Sequence, residues 1–325
     1  MRLRRWLAAA LLFGLAACGN SAPPAQHGNA ASATPTATPG RPAPALVQVE
    51  NDPTARPHSG LQHADMVFEY LTEGGITRFS AIYLQPSGGQ HIEPVRSARL
   101  ISLRLLRSYG AVLFYSGASD HVQGMIWDQK IANYDDRSDG GKYFGRDSSR
   151  QAPHNLYTTP DQLSQAVQKS GRKVTYELPA RGEPAGQGDA AVTKLSFQQT
   201  FAHPVSYSYD AGSKIYQYST DTGPMVDAAE GGKPLQIASV VLLRVAHHGA
   251  GYTEDVRGEE GIDFDLQGQG KADFYTRGQH FSGTWDLSNP DQPLRFLGAD
   301  GKDFTFPQGL TWINVVDPDL AVNAS

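Results

Sequence analysis

Asp65-Met-Val-Phe-Glu69-Tyr-Leu-Thr-Glu73-Gly74-Gly75-Ile-Thr77-Arg78-Phe79, followed after one more apolar run by Glu93-Pro94-Val95-Arg96-Ser97-Ala98-Arg99, is the stretch that decides how this chain folds. Met66 to Leu71 and Phe79 to Leu84 read as two strands. Glu73-Gly74-Gly75 between them suits a tight connection, because glycine accepts positive φ at little cost. The pair is expected to be a hairpin. Ser97 to Tyr109 then reads as a helix, with Leu100, Ile101, Leu103, Leu105 and Leu106 on a wide apolar face, Ser97 as N-cap and Gly110 as stop. That reading puts Arg96, Ser97 and Arg99 at a helix N-terminus, where unpaired N–H groups and the helix dipole favour an anion.

Outward from this stretch, Ala45 to Val49 and Ala111 to Tyr115 read as strands, and Ser119 to Trp127 as a short helix. Asn133 to Asn155 reads as a long surface loop ending in Tyr143-Phe144-Gly145-Arg146-Asp147 and Pro153-His154-Asn155-Leu156, a place where function often resides. Thr159-Pro160-Asp161 opens a helix that Gly171 closes. Pro179 to Asp189 is the candidate segment between domains. Strands are expected beyond it at Val205–Tyr209, Lys214–Tyr218, Leu235–Val245, Ile262–Leu266, Lys271–Tyr275, His280–Leu287, Asp303–Phe306 and Thr311–Val316. The expected fold class is α+β. A mixed-sheet, α/β-type domain occupies residues 43–185, and a smaller, mostly-β domain occupies residues 195–318.

The N-terminus carries an address. Arg2, Arg4 and Arg5 precede an apolar run from Trp6 to Leu15 that is too short to span a bilayer. The run closes with Leu15-Ala16-Ala17-Cys18, which resembles a bacterial lipobox. Residues 1–17 are therefore expected to be a lipoprotein signal peptide, Cys18 the lipidated residue, and residues 18–42 a tether without hydrophobic period. The expected location is extracytoplasmic, anchored to the cell membrane or the outer membrane. Export through the general or the twin-arginine route fits equally. Cys18 is the single cysteine of the 325 residues, so no disulfide or zinc-thiolate site can form. A net charge of -5 supplies no basic face, which sets nucleic acid aside as a partner.

Asn51-Asp52-Pro53-Thr54-Ala55-Arg56-Pro57-His58-Ser59-Gly60, Ala64-Asp65, Glu73 to Phe79, Pro94 to Arg99 and Pro153 to Leu156, taken in that order, resemble the YerB-like lipoproteins. These are bacterial envelope proteins with a family-defining N-terminal domain and a smaller C-terminal one. Gly270-Lys-Ala, Gly283-Thr-Trp285 and Thr311-Trp312-Ile313 carry a looser C-terminal likeness. The resemblance implies a fold and an envelope location, and assigns no catalytic residue. Gly60, Asp65 and Pro94-Val95-Arg96 also resemble, at a distance, the LytR-CpsA-Psr phosphotransferases, in which an Asp holds a metal and arginines grip a polyprenyl pyrophosphate. That family's Pro-Arg-Asp is interrupted here by Val95, and Ser97 stands where its Asp would be.

Two function classes stay open on these residues. In the first, a cleft lined by Glu73, Thr77, Arg78, Arg96, Ser97, Arg99, Arg146, His154 and Asn155 binds an anionic cell-wall glycan or peptidoglycan component, or a wall-synthesis protein. In the second, the protein is an enzyme, either a glycan hydrolase or a phosphotransferase on a lipid-linked pyrophosphate. Its candidate catalytic residues are then Glu69 and Glu73 as a carboxylate pair and His154 as proton carrier. No cofactor is expected, and no metal beyond the single candidate ligand Asp65. Tyr207, Tyr209, Tyr216 and Tyr218 read first as cross-strand packing.

Overall fold

The computed structural model describes residues 40–176 and 181–325. The expected signal peptide, Cys18, nearly all of the tether, and Pro179 lie outside the described residues. No described helix is long and apolar enough to cross a membrane.

The elements, in chain order, begin with β1 (Ala45–Glu50), β2 (Met66–Leu71), β3 (Thr77–Tyr83), α1 (Leu100–Tyr109), β4 (Val112–Tyr115), α2 (Asp120–Asp128), β5 (Asn133–Asp135) and α3 (Pro160–Ser170). There follow β6 (Lys194–Thr200), β7 (His203–Asp210), β8 (Ile215–Thr220), β9 (Ile237–Arg244), β10 (His247–Thr253) and β11 (Glu260–Phe264). The last are β12 (Gly268–Thr276), β13 (Gln279–Leu287), β14 (Arg295–Gly298), β15 (Leu310–Val316) and β16 (Val322–Ala324).

β2 and β3 form the expected antiparallel hairpin, with Leu71 opposite Thr77. Gly74 and Gly75 turn it with φ of 73° and 74°, a region that favours glycine. β1 lies antiparallel to β3 and parallel to β4, and β4 lies parallel to β5. On the other side of the hairpin stands β15, parallel to both β2 and β9. One sheet therefore runs β16-β6-β7-β8-β9-β15-β2-β3-β1-β4-β5, with β12, β13 and β14 branching from β9. The two regions read as separate domains share this sheet, and the described residues form one compact unit.

Both faces of the central strands are covered, which explains why they read as unbroken apolar runs. Val47, Val67, Phe79 and Trp312 pack on one face with Leu163 and Val167 of α3 and with Tyr207 and Tyr218. Leu46, Phe68, Tyr70 and Ile313 pack on the other with Ile101 and Leu105 of α1. The tyrosine ladder is cross-strand packing, with Tyr207 and Tyr218 stacked at 5.0 Å between centroids.

α2 and α3 begin where their caps predict, with Ser119 accepting from Val122 N–H and Thr159 from Gln162 N–H. α1 starts later than expected. Residues 96 to 98 are extended: Arg96 N–H bonds Gln48 O, Ser116 N–H bonds Arg96 O, and Ala98 N–H bonds Gly117 O. Arg99 is the N-cap residue, and Ser102 Oγ accepts from its N–H at 3.0 Å. Arg96 and Ser97 are thus withdrawn from the helix N-terminus, which removes the anion site inferred from that position. The expected strand at Asp303–Phe306 reduces to isolated bridges, and the long loop holds a short helical turn at Asp139–Tyr143 besides β5.

Candidate functional site

Glu69 sits on β2 beside β15, with Asn314 as its register partner. It is 0% exposed and accepts from donors that converge from across the chain. Trp312 Nε1–H donates at 2.9 Å, Thr77 Oγ1 at 2.8 Å, Tyr218 OH at 3.2 Å and Asn51 Nδ2 at 3.4 Å, and His203 Nε2 lies at 3.0 Å. Burial alone would push this carboxyl up. The His203, Trp312 and Thr77 contacts outweigh burial and hold it below the usual carboxylate range. No oxygen of Glu69 faces solvent. Its chemistry is to fasten the N-terminal hairpin to β7, β8 and β15.

Glu73 lies in a different nest, on the α1 side. Arg99 grips it with two nitrogens, Nε at 2.8 Å and Nη2 on the second oxygen. Arg99 Nη1 stands 3.2 Å from Glu254 Oε1, and Tyr252 OH donates to Glu254 Oε2 at 2.6 Å. Against burial, the Arg99 hydrogen bonds and the Arg78 charge bring Glu73 down to about 2. Arg78 is itself buried, its pKa lowered by desolvation to about 10, and it donates to Ser97 O at 3.2 Å. Glu69 and Glu73 are held by separate sets of donors, Glu69 by Trp312, Thr77, Tyr218, Asn51 and His203 and Glu73 by Arg99.

The residues that face a cavity lie elsewhere. The loop after β1, the chain around Glu93 and the 147–154 loop enclose an open cleft of about 650 Å³, lined in part by Thr54, Arg56, Glu93, Asp147, Arg150 and His154. His154 is held at its wall: Nδ1 lies 2.8 Å from Glu50 Oε2, and Nε2 3.3 Å from Thr54 Oγ1. Arg96 Nε stands 3.5 Å from the other oxygen of Glu50. Arg150 bridges the cleft's two sides, donating to Pro57 O at 2.9 Å and to Ala55 O. Arg146 donates to Asn155 Oδ1 and to Asp136 Oδ2, both at 3.0 Å, which ties the loop's two ends together. Near this cleft, His91, Glu93 and Asp147 each offer one atom able to hold a metal, all within 4.8 Å of one another.

Asp65 belongs to a third place, a cavity of about 380 Å³ walled by Met66, Tyr109, Phe296, Phe306 and Leu310. Its Oδ2 accepts from Leu84 N–H at 2.8 Å, while burial pushes the carboxyl up. Arg181 donates to Asp65 O and to Thr311 Oγ1 there. The nine residues expected to line one cleft thus divide. His154 lines the open cleft, Arg96 stands behind it on Glu50, Arg146 and Asn155 brace the adjoining loop, Glu73, Arg78, Arg99 and Ser97 gather around the Arg99 nest, and Thr77 around Glu69.

Sequence reasoning quotes Glu93 and Asp147 within its motifs without giving them a site role, and passes over Glu50, Arg150, His91 and His203. His91 stands two residues before Glu93 and could have been found from that motif. His203 and Trp312 carry no local signal, since only the long-range pairing brings them to Glu69.

Two domains described as protein of unknown function DUF3048 match the chain, the N-terminal domain over residues 30–173 and the C-terminal domain over residues 193–313. The protein named "Putative lipoprotein YerB" from Bacillus subtilis (strain 168) is 31% identical over 304 residues, covering 85% of this chain and 82% of its own. The crystal structure of YerB protein from Bacillus subtilis matches with a TM-score of 0.69 at 28% identity, covering 86% of this chain and 93% of that one.

Proposed function

Since the chain belongs to the DUF3048 family and has a relative named as a lipoprotein, we propose that it is a lipid-anchored envelope protein that binds an anionic cell-wall component and leaves it chemically unchanged. Cys18 carries the anchor, and the extracytoplasmic body presents the His154 cleft. The observation that carries this reading is the cleft's composition. Arg56, Arg150 and His154 line the cleft of about 650 Å³ together with Glu93 and Asp147. A ligand bearing carboxylates beside amino groups, as peptidoglycan stem peptides do, complements walls of mixed sign.

Binding is favoured over glycan hydrolysis because both carboxylate candidates, Glu69 and Glu73, are closed to substrate, which leaves His154 in the cleft without the carboxylate pair that reaction uses. A general acid needs a proton near neutral pH and reach to the scissile bond. Glu69 is fully buried among donors, and Glu73, at about 2, stays ionised against Arg99.

The mature chain is expected to co-sediment with purified peptidoglycan without releasing soluble fragments. Arg56→Ala and His154→Ala, which change two lining residues of the cleft, should weaken retention about tenfold each, the loss of one hydrogen bond of about 1.5 kcal/mol. Soluble muropeptides in the supernatant would establish the enzyme reading in its place. Absence of sedimentation at any protein concentration would leave a wall-synthesis protein as the partner.

A further inference from the structure

His91, Glu93 and Asp147 come from two segments that meet side by side. Ile92 bridges Thr158 and Glu93 bridges Ser59, while Asp147 N–H bonds Asn155 O at 2.8 Å. The backbone on either side of the three side chains is therefore fixed. Their ligand atoms already lie within 4.8 Å of one another. The His91 ring lies flat on Tyr157, 3.6 Å between centroids with planes 9° apart, so its plane is set by packing.

Glu93 is the unusual member. It is 3% exposed, yet Oε2 is buried with no hydrogen-bond partner among the described residues. Oε1 takes the available donors, Ser59 Oγ at 3.3 Å and Arg150 Nη1 at 3.5 Å, with His91 Nδ1 at 3.8 Å. A buried carboxylate oxygen left without a donor is costly, and native structures rarely keep one without a use. At Asp147, Ser149 donates twice to Oδ1, from N–H at 2.8 Å and from Oγ at 2.7 Å. Those bonds orient the carboxylate on its loop.

We propose that these three side chains form a divalent transition-metal site at the edge of the cleft. One imidazole nitrogen with two carboxylate oxygens suits zinc or manganese, whereas calcium and magnesium prefer all-oxygen shells. Metal–ligand bonds of about 2.0–2.2 Å bring such donors closer than they stand here. Glu93 is the buried ligand, and the partly exposed His91 and Asp147 make up the remaining distance by small shifts of their side chains. Arg150 stays outside the coordination sphere, its guanidinium held by Ala55 O and Pro57 O. Three protein ligands leave positions open toward the cleft, the arrangement of sites that hold a water or a ligand group on the metal. The inference stands apart from the wall-binding reading, since a metal alone tests it.

Titration calorimetry of the metal-stripped mature chain with Zn²⁺, and separately with Mn²⁺, is expected to show one saturable site. Glu93→Gln and His91→Ala should each weaken it at least tenfold. Glu93→Gln keeps the side chain's volume and its acceptor for Ser59. Asp147→Asn, on the outer loop, repeats the test should Glu93→Gln fail to fold as judged by circular dichroism. Manganese electron paramagnetic resonance reads the same site, since bound Mn²⁺ loses the free-ion six-line signal. No saturable binding of either metal to the wild type would overturn the proposal. So would equal affinity in wild type and folded variants.

Discussion

Glu69 and Glu93 are two buried glutamates with opposite surroundings. Glu69 meets five side chains that approach its two oxygens, drawn from segments as distant as Asn51 and Trp312. Glu93 has donors on one oxygen and none on the other, and an open cleft stands beside it. Burial alone therefore does not separate scaffold from site in this molecule. The balance of donors against acceptors does, because a satisfied nest rigidifies the fold while an unmet acceptor is chemistry held in reserve.

The largest effect is expected from breaking the satisfied member. Glu69→Gln keeps shape but removes the charge and points amide hydrogens at a nest of donors. Removing one partner from a buried charged cluster costs about 3–5 kcal/mol, against a total of about 5–15 kcal/mol for an ordinary domain. Urea denaturation at pH 7 should show a midpoint lowered accordingly. A change under about 1 kcal/mol would mean that Glu69 does not fasten the hairpin to the C-terminal strands.

Acid should sharpen the comparison next. His58 is fully buried between the two regions, donating to Glu50 O at 2.6 Å. Desolvation, with Arg56 and Arg150 nearby, pulls its pKa from 6.5 down to about 3. Between those values the unfolded chain holds a proton that the folded chain refuses. Stability from this group is complete above about pH 6.5 and declines as pH falls toward 3, by about 1.4 kcal/mol per unit. Glu73, brought from 4.5 to about 2, adds a second loss only below pH 4.5. Unfolding free energies at pH 6.5 and 5.0 should thus differ by about 2 kcal/mol. His58→Phe should flatten that upper branch and leave the lower one.

Much of the scaffold was legible because its signals are local. Ser119 and Thr159 cap their helices, Gly171 ends α3, and Gly74-Gly75 turns the hairpin where the glycines predict it. What escaped were features fixed by pairing at long range. β15 inserts in parallel beside β2, and an apolar strand carries no mark of which neighbour it will take. That insertion seals Glu69 behind Trp312, so a strand-end carboxylate that looked available became part of the core. Ser97 was misplaced for a similar reason, since bonds from residues 96–98 to Gln48 and Gly117 override a good N-cap residue. The Pro153-His154-Asn155 segment did reach a cleft, but its neighbours there are Glu50 and Thr54, not the hairpin turn.

The smallest effect on stability should come from repeating the Glu69 substitution at Glu93. Glu93→Gln leaves an oxygen for Ser59 and Arg150 and removes charge from an oxygen that no donor meets. An ionised group buried without its full set of partners destabilises the fold that holds it, so its neutral isostere should lie within about 0.5 kcal/mol of wild type or above it. The same atom-for-atom exchange then loses several kcal/mol at one buried glutamate and almost nothing at the other. Paired urea titrations of the two variants, free of metal, read this directly. A destabilisation at Glu93 as large as that at Glu69 would show that Glu93 fastens the 147–154 loop as firmly as Glu69 fastens the sheet, and would place it in the scaffold instead of the cleft.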